Sequence, residues 1–144
     1  MIKISYFYKV RFFSPNEIPI STAIFDPKWF HLNRDQSYTY RDKRGVINGL
    51  RAPIFAPGPR CEGLCHGPEG CKNSPENCDF LQMYHVQLKH LNFKDTVETL
   101  EKLAKLMGGD TAVLLVHEAP TNPCSEREVL KLWFKENNYE LEEY

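Results

Sequence analysis

The sequence predicts an α/β fold with a mostly parallel sheet and a four-cysteine metal-binding loop inserted within it. Three observations support this prediction. A short apolar run at 111–116 is typical of a strand buried on both faces, helical periodicity precedes and follows it, and four of the five cysteines lie within the segment 61–78. Alternating strands and helices favour a parallel sheet. The 144 residues suffice for one domain, 1–144, with a sizeable core.

The first half of the chain is predicted to supply two strands. Residues 2–10 alternate imperfectly and are rich in aromatic and β-branched residues, which indicates a first strand. Residues 18–25 form a second extended segment. Asp26 followed by Pro27 is typical of a helix start, because Asp caps helices and proline fits the first turn. From 34 to 60 the periodicity fades, and we expect loops there.

The second half is predicted to contain three helices and two strands. Apolar residues recur at helical spacing over about 75–90, and again from the cap residue Asn92 to the stop at Gly108-Gly109. The apolar run 111–116 follows as a central strand, then a helix at about 125–135 and a short strand at 139–142. The predicted buried positions of the helices are Leu81, Tyr84, Leu88 and Leu91 in the first, Val97, Leu100, Leu103, Ala104 and Met107 in the second, and Val129, Leu130, Trp133 and Phe134 in the third.

The clustered cysteines are predicted to bind a metal. The chain opens on a strand-like run rather than a secretory leader, so we expect a cytoplasmic protein with reduced thiols, which favours a metal over disulfides. Four thiolates suit a closed, structural zinc site, and a cysteine-ligated iron–sulfur cluster is the alternative. The predicted ligands are Cys61, Cys65, Cys71 and Cys78.

Three residues near these cysteines affect how the loop is interpreted. His66 could replace one cysteine as a ligand, although an exposed loop histidine is the simpler interpretation. Ser74 is a good helix cap and Pro75 fits the first helical position, so Cys78 is predicted to lie in the helix that follows.

The loop after the central strand, 117–127, holds the candidate catalytic residues. In open α/β sheets, ligands bind beyond the carboxyl ends of the strands. Glu118 could act as an acid or base, Cys124 at a helix N-terminus could be a thiolate, and Arg127 could hold an anion. Arg11, just past the first strand, could point into the same crevice. The structural alternatives are a packing role for Cys124 and a capping role for Glu118.

Charge and hydropathy restrict the partners. The net charge of −1 gives no overall attraction to nucleic acid or membranes, and no apolar run approaches the length of a membrane span. Basic and aromatic residues nevertheless alternate between 34 and 60, a pattern that can follow a phosphate backbone and stack on bases. A solvated loop with anchored rings is the simpler interpretation. The residues concerned are Arg34, Arg41, Lys43, Arg44, Arg51 and Arg60, with Tyr38, Tyr40 and Phe55 between them.

Residues 19–30 (Pro-Ile-Ser-Thr-Ala-Ile-Phe-Asp-Pro-Lys-Trp-Phe) and the run 112–118 followed by Cys124 resemble two segments of an uncharacterised family, number four hundred and eighty-eight of the domains of unknown function. The second segment is similar to that family's strand, glutamate, loop and Cys-His-Arg signature. Val116 stands where the family often has a second cysteine, and Cys-Ser-Glu-Arg at 124–127 replaces the contiguous Cys-His-Arg, so the family's histidine base is missing. The resemblance implies a Rossmann-like fold in a bacterial, archaeal or phage cytoplasm, and no established reaction.

Two functional hypotheses follow from the sequence. The first is a small enzyme that acts on a nucleotide or nucleic acid through Glu118, Cys124 and Arg127, with Arg11 nearby. The second is a non-catalytic, zinc-stapled module that binds nucleic acid or another protein through residues 34–60 and the cysteine loop. The substrate, the reaction and the oligomeric state have no signal in the sequence.

Overall fold

The protein forms a five-stranded, all-parallel sheet with helices packed against it. The computed structural model describes residues 1–30, 41–47, 49–59 and 78–144. The strands are β1 (Ile2–Tyr6), β2 (Glu17–Ser21), β3 (Leu50–Arg51), β4 (Thr111–Val116) and β5 (Glu142–Glu143), and the helices are α1 (Asp79–Lys89), α2 (Phe93–Leu106) and α3 (Glu126–Glu136), with 3-10 helices at Phe7–Phe12 and Pro53–Phe55. The strand order is β3-β2-β4-β1-β5. The predicted α/β class is confirmed, and the parallel sheet is consistent with a Rossmann-like fold.

Strand β4 lies at the centre of the sheet, as predicted. Its six residues are all buried, and it pairs with β1 on one side and β2 on the other. Successive side chains of a strand point to opposite faces. Ala112, Leu114 and Val116 accordingly join the core cluster on the face that α1, α2 and α3 cover, whereas Val113 and Leu115 join a second cluster with Phe7 and Phe30. Burial on both faces explains the unbroken apolar run.

The ends of α2 follow the capping signals in the sequence, and Ser125 caps the start of α3. The Asn92 side chain accepts a hydrogen bond of 3.0 Å from the Asp95 N–H, and the Ser125 hydroxyl accepts one of 3.1 Å from the Arg127 N–H. Gly108 ends α2 with φ of 84°, a left-handed conformation that glycine adopts without strain. Among the predicted inward positions, Leu91, Val97 and Leu103 are partly buried against the core, and the buried ones are Leu81, Tyr84, Leu88, Leu100, Ala104, Met107, Val129, Leu130, Trp133 and Phe134.

Both N-terminal strands are shorter than predicted. β1 ends at Tyr6, and Phe7–Phe12 forms a 3-10 helix that buries Phe7 and Val10. β2 ends at Ser21, and the predicted helix start at Asp26 is wrong: the Asp26 carboxylate instead accepts a hydrogen bond from the Ser21 hydroxyl, and turns follow. Phe7 and Val10 are buried from a 3-10 helix, whereas Ile24 and Phe25 are exposed beyond β2, so apolar composition alone overextended both strands.

Three further elements differ from the prediction in their start, their length or their presence. α1 begins at Asp79, because Cys78 has an extended backbone (φ −115°, ψ 113°), while the predicted cap Ser74 lies outside the described residues. The last strand comprises only Glu142–Glu143; Tyr139 instead accepts a hydrogen bond of 2.9 Å from the Ile2 N–H through its hydroxyl. The two-residue strand β3 was not predicted, since two residues show no periodicity. None of the described helices is long and apolar enough to span a bilayer.

Candidate functional site

A cleft of about 330 Å³ opens beyond the carboxyl ends of the neighbouring strands β2 and β4. After β2 the chain continues to β3 at one edge of the sheet, and after β4 it continues toward β5 at the opposite edge. Divergence of the two connections creates a crevice, and ligands of open α/β sheets bind at such points. The walls come from the loops after β2 and β4 and the first residues of α1 and α3, and they include Ile24, Phe25, Phe80, His117, Glu118 and Glu126.

Two half-buried glutamates meet in this cleft. Glu118 follows β4, Glu126 opens α3, and Ser125 between the two donates a hydrogen bond of 3.3 Å from its hydroxyl to Glu118 Oε2. Burial raises the pKa of Glu126 from 4.5 to about 7, and the charge of Glu118 and a hydrogen bond with it add to that rise. A backbone hydrogen bond opposes the rise without cancelling it. A carboxyl group with such a pKa can give or accept a proton near neutral pH.

The loop at residues 22–26 forms one rim of the cleft and is braced along its length. Thr22 bonds to the Leu115 carbonyl through both its N–H (3.1 Å) and its hydroxyl (2.7 Å). Arg51 donates to the Ala23 carbonyl at 2.8 Å, and His117 Nε2 donates to the Phe25 carbonyl at 2.6 Å. The backbone of Phe25 is therefore fixed, while its ring is 81% exposed at the cleft.

Arg127, predicted to hold an anion, is fully buried and does not line the cleft. Its Nε forms an ion pair of 2.5 Å with Glu143 Oε1, and one terminal nitrogen donates to the Glu118 carbonyl at 2.6 Å. The guanidinium also lies 5.6 Å from the centre of the Tyr6 ring. The contacts of Arg127 thus join α3 to β5 and to the loop after β4, and they position the backbone of Glu118.

Cys124 is also buried, and it lies beside another cysteine rather than in the cleft wall. Its Sγ is 4.0 Å from the Sγ of Cys78, and its N–H donates to Asn122 Oδ1 at 2.9 Å. Among residues 1–30, 41–47, 49–59 and 78–144, no group of three or more His, Cys, Asp or Glu side chains is placed to hold a metal ion. The predicted ligands Cys61, Cys65 and Cys71, and the neighbouring His66, lie outside these ranges.

Arg11 has its contacts within its own 3-10 helix. Its guanidinium lies 3.9 Å from the centre of the Tyr8 ring, and its Nε donates to the Tyr8 carbonyl at 2.9 Å. It is exposed and is not among the residues of the cleft wall. The structure therefore brings Glu118 to the cleft, and places Arg127, Cys124 and Arg11 elsewhere.

In the basic and aromatic segment 34–60, the arginines that the structure describes form hydrogen bonds or ion pairs with other residues of the protein. Arg41 donates to the Gly45 carbonyl at 2.6 Å and to the Met107 carbonyl at 2.7 Å, and Arg44 forms an ion pair of 2.6 Å with Asp42. Phe55 is fully buried and cannot stack on a base. Arg34, Tyr38, Tyr40 and Arg60 lie outside the described residues. The described part of this segment stabilises loops and gives no specific support to a nucleic-acid-binding surface.

Sequence reasoning missed Glu126 and Phe25. Glu126 follows the Ser125 cap, where acidic residues commonly complement the helix dipole, so its sequence position suggested an ordinary surface role. Its proximity to Glu118 depends on the path of the loop between them, for which no spacing rule exists. An exposed phenylalanine cannot be distinguished from a buried one in an apolar run.

Comparison with protein-family models, curated proteins and solved structures gives no significant match to this chain. The resemblance of residues 19–30 and 112–118 to the uncharacterised family therefore stays a prediction. Because one fold hosts many activities, the function has to be argued from the cleft.

Proposed function

We propose that this protein is a small enzyme that carries out general acid–base chemistry on a nucleotide or nucleic acid in the cleft beyond β2 and β4. The observation that carries the proposal is the carboxyl pair, Glu118 and Glu126, in the wall of a cleft at the point where the strand connections diverge. A carboxyl group whose pKa is raised toward neutrality, beside a second carboxyl group, is a common basis of acid and base roles.

Each glutamate has a distinct role in this proposal. Glu126, whose pKa is raised to about 7, keeps a proton at neutral pH in a large fraction of molecules and acts as the general acid. Glu118 acts as the general base, one of the two roles that the sequence suggested for it. Because the two side chains are hydrogen-bonded, a proton taken up by Glu118 can return to Glu126 and complete the cycle.

Two of the other predicted catalytic residues take supporting roles. Arg127 is a positioning residue, since its guanidinium holds the carbonyl of Glu118 at 2.6 Å and its charge is balanced by Glu143. Cys124 packs in the interior immediately before the cap of α3. Neither side chain faces the cleft, so the chemistry is assigned to the glutamates.

We propose in addition that the cysteine loop binds a structural zinc ion through Cys61, Cys65, Cys71 and Cys78, with an iron–sulfur cluster as the alternative. Cys78 is the ligand of this set that lies among the described residues, and its burial at the start of α1 suits a closed thiolate shell. A closed shell has no open coordination position. The metal would therefore stabilise the loop and α1 rather than take part in the reaction.

The test of the proposed activity compares matched glutamine variants. The protein is incubated at pH 7 with nucleosides, nucleotides and single-stranded oligonucleotides, and the products are identified by mass spectrometry. We expect one class to be converted, and Glu118→Gln and Glu126→Gln to slow that conversion by about 10²-fold or more. Glu128→Gln is the control, because Glu128 is on the same helix outside the cleft wall. Absence of conversion across the whole panel, or conversion that survives both changes, would contradict the proposal.

A further inference from the structure

We infer that the group that enters this cleft is the uncharged base of a nucleoside or nucleotide, stacked on Phe25, and that any phosphate remains outside the cleft. The inference rests on the proposed function, whose substrate class it narrows. Three properties of the cleft carry it: the charge of its walls, the exposed aromatic ring at its rim and the hydrogen-bonding groups inside it.

The charge of the walls disfavours phosphate. Two glutamates line the cleft, and no lysine or arginine is among its described wall residues. Arg51 and Arg127 adjoin the walls, but Arg51 donates hydrogen bonds to the carbonyls of Ala23 and Ile24, and Arg127 forms an ion pair with Glu143. A phosphate in the cleft would meet two carboxyl groups and no lysine or arginine of the described wall, whereas an uncharged ring would not be repelled.

The aromatic ring at the rim suits a flat ligand. Phe25 is the most exposed large apolar side chain among the described residues, at 81%. Its backbone is fixed by the hydrogen bond from His117, so the ring is presented from a rigid support. Bases stack on such rings in proteins that bind single nucleotides and single strands. Phe80 adds a second aromatic side chain to the wall. The volume of about 330 Å³ is that of a small-molecule site.

The carboxyl pair provides the hydrogen bonds that a base requires. With one proton on the pair, Glu126 offers a donor beside the acceptor oxygens of Glu118. The pairing edges of adenine, cytosine and uracil likewise carry a donor next to an acceptor, and enzymes that take up a single base read this edge by such bonds. The change Glu126→Gln keeps both a donor and an acceptor but removes the carboxyl proton. It therefore distinguishes a loss of hydrogen bonding to the base from a loss of proton transfer.

Calorimetric titration of the intact protein tests the inference, with adenosine, cytidine, uridine and ribose 5-phosphate as probes. We expect at least one nucleoside to bind and ribose 5-phosphate, which has sugar and phosphate without a base, not to bind. Phe25→Ala should weaken nucleoside binding about tenfold, and Phe25→Trp should preserve it. Phe12→Ala is the control, since Phe12 is also exposed but lies on the 3-10 helix after β1. Glu126→Gln, which keeps a donor and an acceptor, should weaken nucleoside binding less than Glu126→Leu does.

The outcomes separate this inference from the proposed activity. Binding of ribose 5-phosphate without binding of any nucleoside, equal effects of Phe25→Ala and Phe12→Ala, or no binding of any probe would overturn the inference. If ribose 5-phosphate bound, no nucleoside bound and the carboxyl pair nevertheless converted a substrate, the proposed activity would be supported and the inference overturned. Nucleoside binding that depends on Phe25, without conversion of any substrate, would support the inference and overturn the proposed activity.

Discussion

At the level of single residues, the pKa of Glu126 is raised because burial and repulsion from Glu118 outweigh the favourable effect of the helix dipole on its charge. A position in the first turn of α3 favours a negative charge, a helix-dipole effect of roughly 0.3–1 kcal/mol. Burial and the nearby Glu118 raise the pKa from 4.5 to about 7. A rise of that size corresponds to about 3 kcal/mol against ionisation, which exceeds the dipole effect. The residue therefore costs stability at neutral pH, as functional groups often do.

This cost predicts that Glu126→Gln is stabilising at high pH. A pKa above the value in the unfolded chain means that the folded state retains a proton that the unfolded state has lost, so stability falls as pH rises from about 4.5 to about 7. Glutamine cannot ionise. We expect the variant to exceed the parent in free energy of unfolding by up to about 3 kcal/mol at pH 8 and by little at pH 4.5, as measured by urea denaturation. An equal difference at both pH values would show that ionisation of Glu126 is not the cause.

At the level of elements, one buried ion pair connects three parts of the fold. Arg127 of α3 forms an ion pair with Glu143 of β5 and donates a hydrogen bond to the Glu118 carbonyl after β4, and Lys131 also approaches Glu143 Oε1 at 3.2 Å. Because β5 comprises two residues at the edge of the sheet, its own backbone pairing is short. The ion pair therefore contributes to holding the C-terminus against α3 and, through the carbonyl, to the placement of Glu118.

We predict that Glu143→Gln is strongly destabilising, because it leaves the buried guanidinium of Arg127 without its counter-charge. The expected loss in free energy of unfolding is about 3 kcal/mol, to be measured by urea denaturation at pH 7. Glu142→Gln, the same change at the adjacent exposed position, should cost less than about 0.5 kcal/mol. A double change to Arg127→Met and Glu143→Leu should recover much of the loss, since it removes both charges. Equal losses in the two single variants would contradict a specific role for the pair.

At the level of the whole molecule, the sequence predicted those elements whose patterns are long or chemically marked. The buried run of β4 and the cap Asn92 are local signals, and the structure confirms the elements that they mark. The sheet edges were not predictable in the same way, because β3 and β5 have two residues each and depend on pairing with distant strands.

The residues of the cleft were likewise predictable where the signal is local and not where it depends on distant parts of the chain. Its position followed from the loop after the central strand, and Glu118 was identified there. Glu126 and Phe25 were not identified, because their roles depend on the path of a loop and on which side chains the core leaves exposed. Arg127 was placed in the cleft by sequence proximity, whereas Glu143, sixteen positions later, holds it in the interior.

Removal of the proposed metal should have a local effect. The sheet has an extensive apolar core of its own, so we expect a chelator to speed amide hydrogen exchange in α1, which follows the cysteine loop, and to leave β1 and β4 protected. Elemental analysis of protein purified without oxygen should give one zinc per chain and a colourless sample, whereas iron with sulfide would indicate the cluster. A sample without stoichiometric metal, or unchanged exchange in α1, would contradict a structural metal.

The claim on which the proposed function depends is that Glu126 retains a proton near neutral pH because of its burial beside Glu118. A carbon-detected NMR titration of the Glu126 side-chain carboxyl group measures this directly, in the parent and in Glu118→Gln. We expect a pKa of about 7 in the parent and a lower one in the variant, because the change removes the negative charge that opposes ionisation. A Glu126 pKa near 4.5 in both proteins would contradict the acid–base pair.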